Sequence, residues 1–145
     1  MVHMRKVLVL NGPNLNKLGQ REPDVYGSTS LADIETMCLN FGKEHGLQVD
    51  FRQSNDEVDL INWLQEAASE RLAVVINPAA YTHTSVAIRD AAAMVTEPLI
   101  EIHLSNPMTR EEFRHTSLVS GVATGTIAGF GAQSYLLALR ALLSL

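Results

Sequence analysis

Short apolar runs alternate along the chain with longer segments in which apolar residues recur at helical spacing. The short runs are bounded by turn residues and are apolar on both faces, which is typical of buried strands. The longer segments carry an apolar stripe and a polar face, which predicts helices packed on a sheet. The pattern predicts strands at 6–10, 47–52, 72–76, 98–104 and 124–130, helices at 30–45, 56–69, 85–94 and 133–143, and a short helical turn at 109–114.

The first predicted helix has signals at both of its ends. Ser30 stands before it as an N-cap, Asp33 occupies the reciprocal position of a capping box, and Gly46 follows its last turn. Cys38 lies on the apolar stripe of this helix, where a buried thiol is expected. Because it is the only cysteine of the sequence, no intrachain disulfide can form.

Strands that alternate with helices predict a parallel sheet covered on both faces. For 145 residues, the natural solution is one domain (1–145) with a flavodoxin-like α/β fold and the strand order 2-1-3-4-5. The second helix is expected to turn Ile61, Leu64 and Ala68 towards the sheet. Ligands of such sheets bind beyond the carboxyl ends of the strands, here near the switch point between the first and third strands.

Composition and charge narrow the class of protein. Hydrophobic residues make up 46% of the chain, charged residues 19%, and the formal net charge is -5, which is typical of a globular protein. No basic run is present, so nucleic acid and anionic membranes are poor partners, although local arginines can still bind an anionic small molecule. The first apolar segment is too short for a signal peptide or a membrane span, and a cytoplasmic location is expected.

Polar residues cluster where three of the predicted strands end. The first strand is followed by Asn-Gly-Pro-Asn at 11–14, and the third by an amide, hydroxyl and histidine segment at 77–83, while the fourth contains Glu101 and His103. Asparagine, proline and glycine are common in turns, so a structural role stays open for each of them alone. Together, the three strand ends predict a site at one edge of the sheet.

Glu101 and His103 form the sharpest candidate pair. Polar side chains inside a buried central strand are costly, so their presence needs a reason. Residues two apart on a strand point to the same face, and the two side chains can therefore share a hydrogen bond. A carboxylate fixes the tautomer of a histidine and stabilises its charged form, which suits a general acid–base. A self-satisfied buried polar pair, or a metal site completed by His83, is the alternative.

The segment after the first strand is longer than a connection requires. It occupies residues 14–28, whereas strand-to-helix loops are typically about 2–6 residues long. Gly19 and Gly27 bracket its centre, and loops of this kind often act as lids. Arg21 and Tyr26 lie within it, and a nearby arginine stabilises a phenolate. A surface arginine and tyrosine on a flexible loop are the alternative.

Cofactor motifs are missing from the sequence. No G-x-G-x-x-G follows the first strand, and no G-x-x-x-x-G-K-[ST] occurs anywhere. A lysine Schiff base is not favoured either, because Lys6, Lys17 and Lys43 are poorly placed for it. The residues favour acid–base chemistry without a metal or cofactor.

Several blocks of the sequence resemble, in order, the type II 3-dehydroquinate dehydratases. The resemblance rests on Asn11-Gly12-Pro13-Asn14-Leu15, Gly19-Gln20-Arg21-Glu22-Pro23, Tyr26-Gly27, Arg52-Gln53-Ser54-Asn55, Asn77, Tyr81-Thr82-His83-Thr84-Ser85, Arg89-Asp90-Ala91, Glu101-Ile102-His103-Leu104-Ser105-Asn106 and Arg110-Glu111-Glu112-Phe113-Arg114. It covers essentially the whole chain. Pro78-Ala79-Ala80 is a small departure from a stretch associated with glycine or alanine, and it removes no chemical group.

The resemblance implies a cofactor-free anti-elimination of water from 3-dehydroquinate, which gives 3-dehydroshikimate through an enolate. Tyr26, ionised with help from Arg21, would remove the proton from the carbon beside the ketone. Asn14 would stabilise the enolate through an ordered water. His103, oriented by Glu101, would protonate the departing hydroxyl.

The resemblance also implies how the substrate is bound. Asn77, His83 and Arg114 would bind ring hydroxyls. The backbone amides of Leu104 and Ser105, with the Ser105 side chain, would hold the carboxylate.

An assembly is implied as well, because the family forms dodecamers built from trimers. Asp90 would approach the lid arginine of a neighbouring subunit. A biosynthetic role in the shikimate pathway is expected rather than quinate catabolism. Two other functions stay open, namely a non-catalytic flavodoxin-like ligand-binding module and a lyase or isomerase that acts on a related cyclic acid.

Overall fold

The computed structural model describes residues 4–20, 24 and 28–145. Its strands are β1 (Arg5–Asn11), β2 (Leu47–Gln53), β3 (Ala73–Asn77), β4 (Leu99–His103) and β5 (Gly125–Ala128). The α-helices of this part of the chain are α1 (Leu31–His45), α2 (Glu57–Glu70), α3 (Val86–Ala93) and α4 (Gln133–Leu142). Short 3₁₀ segments lie at Leu15–Lys17, Ala79–His83, Pro107–Thr109, Glu112–Arg114 and Ser120–Val122.

The strands form one parallel sheet in the order β2-β1-β3-β4-β5. The predicted order is therefore confirmed. The register pairs Asn11 with Asn77 across β1 and β3, and Ile76 with Glu101 across β3 and β4. Because the three central strands run in the same direction, the residues at their carboxyl ends meet at one edge of the sheet.

Each face of the sheet carries its own hydrophobic core. Cys38 of α1 and Leu139 of α4 pack on one face with Val9 of β1. Leu64 of α2 packs on the opposite face with Leu10 of β1. Successive side chains of a strand point to opposite faces, so the part of a strand that is covered on both sides is expected to be apolar, as residues 7–10 of β1 are.

α1 has the capped ends that its sequence predicts. The Ser30 hydroxyl accepts from the amide of Asp33, and the Asp33 carboxylate accepts from the amide of Ser30, both at 3.1 Å. Gly46 closes the helix in the left-handed region with φ 76°. Cys38 is fully buried, and this burial raises the pKa of its thiol to about 12.

The inward face of α2 differs by one position from the predicted face. Leu60, Leu64 and Ala67 are its buried residues, whereas the sequence pattern indicated Ile61 and Ala68 beside Leu64. Apolar residues flank the buried stripe on both sides, so the pattern is broad and its centre is poorly defined by spacing alone.

The prediction of a single helical turn at 109–114 is wrong. Two separate 3₁₀ turns occupy this stretch, Pro107–Thr109 and Glu112–Arg114. Asn106 caps the first turn, since its side-chain oxygen accepts from the amide of Met108 at 3.1 Å. In the described part of the chain, no helix combines the length and apolar character needed to cross a membrane.

Candidate active site

The carboxyl ends of β1, β3 and β4 open into a cavity at the predicted switch point. Six of the predicted site residues contribute to its walls, namely Asn14, Asn77, His83, His103, Leu104 and Arg114. The fold therefore gathers in one place residues, most of them polar, that are far apart in the sequence.

The loops after β1 and β3 approach each other unusually closely beside this cavity. A Cβ atom at Gly12 would lie 2.5 Å from the carbonyl oxygen of Pro78, so a side chain cannot be accommodated there. Asn14 and Ala79 adopt left-handed backbone conformations, with φ 69° and 54°. Asparagine tolerates this region, whereas alanine is strained in it by about 1–2 kcal/mol. One wall of the cavity is thus formed by the closely packed backbones of these two loops, and this wall carries local strain at Ala79.

Glu101 and His103 share the hydrogen bond that their spacing predicts. Glu101 is fully buried and His103 is 9% exposed. His103 Nε2 lies 2.5 Å from Glu101 Oε2. An ionised carboxylate only accepts hydrogen bonds, so Nε2 carries the proton in this contact. Nδ1 is consequently the ring nitrogen of His103 that can gain or lose a proton while this hydrogen bond persists.

Three hydroxyl groups to which the sequence assigned no role surround the Glu101 carboxylate. Thr82 donates to Oε2 at 2.6 Å, Ser120 donates to Oε1 at 2.6 Å, and the Ser117 hydroxyl lies 3.0 and 2.9 Å from the two oxygens. Burial raises the pKa of Glu101, but hydrogen bonds from His103, Ser120 and Thr82 outweigh it and hold that pKa below its ordinary value. The signal that could have found these residues is the need of a buried carboxylate for several donors.

The His83 ring lies beside that of His103, with the ring centroids 6.4 Å apart and the planes 20° from parallel. His83 Nδ1 lies 2.8 Å from the carbonyl oxygen of Thr116. A carbonyl oxygen only accepts, so Nδ1 carries the proton and Nε2 is left to meet a ligand. Among the residues that the structure describes, no three His, Cys, Asp or Glu side chains are grouped to hold a metal ion. The alternative of a metal site at His83, Glu101 and His103 therefore finds no ligand set there.

Asn77, at the end of β3, is held from inside the protein. It is 2% exposed, its Nδ2 donates to the Tyr135 hydroxyl at 3.1 Å, and its Oδ1 accepts from the amide of Ala79 at 3.1 Å. The Tyr135 hydroxyl donates in turn to Asn11 Oδ1 at 2.6 Å. The sequence pattern places Tyr135 in the final predicted helix, where it has the position of a core residue and no signal of a role in the site.

Two arginines bring positive charge to the cavity wall, Arg110 and Arg114. Arg114 Nε donates to the carboxylate of Glu111 at 2.9 Å. Arg110 Nη1 donates to the Ser105 hydroxyl at 3.3 Å. Ser105 is not part of the described cavity lining, but it is hydrogen-bonded to Arg110, which is. Arg110 was not among the predicted site residues. The arginines suit an anionic ligand even though the whole chain is acidic.

The structure does not test three of the predicted roles, those of Arg21, Tyr26 and Asp90. Arg21 and Tyr26 lie outside the described residues, so their roles stay predictions. Asp90 is exposed on α3, away from the described cavity lining, and its carboxylate lies 3.7 Å from Arg89. Its predicted approach to a neighbouring subunit also stays a prediction.

Fold and site together define a flavodoxin-like α/β protein with a carboxylate-backed histidine at its switch point. Residues 5–143 match the family model for dehydroquinase class II. The chain belongs to that family, and the resemblance drawn from its sequence blocks is confirmed.

Similar proteins agree with this assignment. The chain is 56% identical over 139 residues to the 3-dehydroquinate dehydratase of Rhizobium meliloti, with 96% of this chain and 94% of that protein covered. It is 57% identical over 138 residues to the 3-dehydroquinate dehydratase of Brucella canis, with 95% and 88% covered. The crystal structure of the type II dehydroquinase from Propionibacterium acnes matches with a TM-score of 0.95 at 49% identity, with 98% and 99% covered.

Proposed function

We propose that this chain is a hydro-lyase of the shikimate pathway that converts 3-dehydroquinate to 3-dehydroshikimate by an anti-elimination of water, without a metal or cofactor. Membership of the class II dehydroquinase family supports the reaction. In the structure, the observation that carries the proposal is the buried Glu101–His103 pair at a cavity on the switch point of the sheet. This combination favours the dehydratase over a non-catalytic ligand-binding module.

The first step is removal of the proton beside the ketone, which needs a base and a group that stabilises the enolate. Tyr26 is the proposed base, and Arg21 is proposed to stabilise its phenolate; both assignments rest on the sequence blocks alone. Asn14 is the proposed enolate ligand, acting through a water. Its position in the cavity wall supports this role.

The second step is departure of the hydroxyl group, which needs a proton donor. His103 suits this step because the hydroxyls around Glu101 keep the carboxylate ionised, and an ionised carboxylate stabilises an imidazolium. Nε2 is occupied by Glu101, so we assign proton delivery to Nδ1. After delivery the ring is neutral and keeps its proton on Nε2, which leaves the hydrogen bond to Glu101 intact.

Binding of the substrate is assigned to the remaining wall of the cavity. Asn77, His83 and Arg114 are proposed to bind ring hydroxyls, and each of them contributes to that wall. Leu104 and Ser105 are proposed to hold the carboxylate through their backbone amides. The hydrogen bond between Arg110 and Ser105 supports this assignment, because it places a guanidinium beside the proposed carboxylate position.

The chain is further proposed to act as one catalytic domain in a cytoplasmic homo-oligomer, a dodecamer built from trimers. An exposed Asp90 on α3 is compatible with a contact to a neighbouring subunit. Apolar side chains such as Phe130 and Leu145, which are 62% and 56% exposed, leave surface that an assembly would cover. Light scattering coupled to size-exclusion chromatography measures the assembly directly, and a monomer would contradict this part of the proposal.

The activity is tested by adding purified protein to 3-dehydroquinate and following the absorbance of the conjugated enone. The proposal expects enone formation that survives borohydride treatment in the presence of substrate, because no lysine Schiff base takes part. It also expects unchanged rates in EDTA. A folded protein that forms no enone contradicts the assigned substrate, and loss of activity in EDTA that metal restores contradicts the cofactor-free mechanism.

A further inference from the structure

Tyr135 is a fully buried phenol that the proposed mechanism does not use. It lies on α4, and its hydroxyl reaches across the core to the ends of two strands, to Asn11 of β1 at 2.6 Å and to Asn77 of β3 at 3.1 Å. Burial raises the pKa of Tyr135 well above its ordinary value, so the phenol stays neutral and keeps its proton. A buried group of this kind acts as a fixed donor and acceptor.

The hydrogen bonds around this phenol can run in one direction only. Asn11 Nδ2 donates to the carbonyl oxygen of Arg52 at 2.9 Å, so Asn11 Oδ1 is the atom turned towards Tyr135 and it must accept. The Tyr135 hydroxyl has a single proton, and it donates this proton to Asn11. Its oxygen can therefore only accept from Asn77, which has to present Nδ2.

The other end of the chain of hydrogen bonds agrees with this direction. Asn77 Oδ1 accepts from the amide of Ala79 at 3.1 Å, and a backbone amide can only donate. Two backbone groups with fixed roles, the Arg52 carbonyl and the Ala79 amide, thus determine how the Asn77 amide is turned. One N–H and one oxygen lone pair of Asn77 are left for the cavity.

We propose that Tyr135 is a positioning residue that fixes the orientation of the Asn77 amide, and through it the recognition of a hydroxyl group on the substrate ring. This inference rests on the proposed role of Asn77 as a hydroxyl ligand. An amide that rotates by half a turn exchanges its donor and its acceptor, and a hydroxyl bound by both would then meet the wrong partners. The phenol of Tyr135 opposes that rotation together with the backbone amide of Ala79.

A double-mutant cycle on kcat/KM separates positioning from a general structural effect. Tyr135→Phe removes one oxygen atom and is expected to lower kcat/KM about tenfold, the effect of one lost hydrogen bond. In an Asn77→Ala background, the same substitution is expected to lower kcat/KM less than about twofold, because the amide that it positions is already absent. Leu142→Ala, a buried change on the same helix in the same core, is the matched control and is expected to leave kcat/KM unchanged.

Asn11→Ala tests the same inference from the other side of the phenol. It leaves the Tyr135 proton without Asn11 as acceptor, so the hydroxyl can turn towards Asn77 and favour the rotated amide. A loss of kcat/KM that disappears in the Asn77→Ala background is again expected. Asn11→Ala replaces Tyr135→Phe as the test if Tyr135→Phe is recovered only as unfolded protein.

Multiplicative losses from the two substitutions would overturn the proposal, as would an unchanged kcat/KM in Tyr135→Phe. A neutron crystal structure of Tyr135→Phe, which distinguishes the nitrogen of the Asn77 amide from its oxygen, gives a readout that does not depend on turnover. A rotated Asn77 amide, or one present in two orientations, supports the inference, and an unmoved amide contradicts it. Absence of turnover in the unmodified protein would count against the proposed function alone, and the crystallographic readout would still decide the role of Tyr135.

Discussion

Thr82→Val is a sharp test of how the Glu101 carboxylate is kept ionised inside the protein. Thr82 is fully buried, and its hydroxyl donates to Glu101 Oε2 at 2.6 Å. Valine has nearly the same shape but cannot donate. A hydrogen bond to a charged group contributes about 1.5–3 kcal/mol, and Ser117 and Ser120 still serve the carboxylate in the variant. We therefore expect the free energy of unfolding to fall by about 1.5–3 kcal/mol near neutral pH.

The effect should depend on pH in a defined direction. Because the pKa of Glu101 is lowered by folding, the carboxylate contributes stability that is fully present above its unfolded value of about 4.3. That stability is lost as the pH falls through the lower pKa of the folded state. Thr82→Val raises the folded pKa and so removes part of this contribution, which means that the difference between variant and unmodified protein narrows in acid.

The assay is thermal or urea unfolding at fixed protein concentration, at about pH 7 and again at about pH 3. For a chain of this size, 1.5–3 kcal/mol corresponds to a decrease in Tm of roughly 3–12 °C. Thr82→Ser is the matched control, since it keeps the donor and loses one methyl group. If Thr82→Val is as stable as Thr82→Ser near neutral pH, or if the gap between them does not narrow in acid, the reasoning is refuted.

Three further predictions concern the catalytic chemistry and the backbone strain at Ala79. Tyr26→Phe should abolish enone formation with only a modest loss of substrate binding, measured by calorimetry; substantial residual turnover would remove Tyr26 as the base. His103→Ala should slow the elimination by about 10²–10⁴-fold in kcat, and near-normal rates in the enone assay would overturn its role. Ala79→Gly should raise the free energy of unfolding by about 0.5–1 kcal/mol because it relieves the left-handed strain, whereas Ala80→Gly should lower it by a similar amount; equal effects in urea unfolding would contradict the argument.

The fold could be predicted largely because its physical causes are local. Strands covered on both faces are mainly apolar, and the apolar runs that result made β1 and β3 recognisable in the sequence. The ends of α1 were fixed by Ser30, Asp33 and Gly46, whose capping chemistry acts within a few residues. The strand order then followed from chain length and the handedness of crossovers. The buried face of α2 was missed by one residue because its apolar residues form a wide band.

The candidate site was predictable where a residue is out of place in its surroundings. Glu101 and His103 are conspicuous because charged and polar side chains rarely occur inside a central strand. Ser117 and Ser120 could not be assigned in the same way, because they lie in an irregular connection whose path over Glu101 is set by tertiary structure. The role of Tyr135 could not be predicted for a different reason, since an aromatic residue on an apolar helix face cannot be distinguished by pattern from any other core residue.

The inert thiol at Cys38 has a practical consequence for following motion in this protein. A fully buried cysteine with a pKa of about 12 is almost entirely protonated at neutral pH and inaccessible to maleimides or nitroxide reagents. It is the only cysteine of the sequence, so one engineered cysteine gives selective labelling without a cysteine-free background. Gln20, which is exposed within the long segment after β1, is a suitable position for a fluorescent or spin label that reports on that segment during turnover.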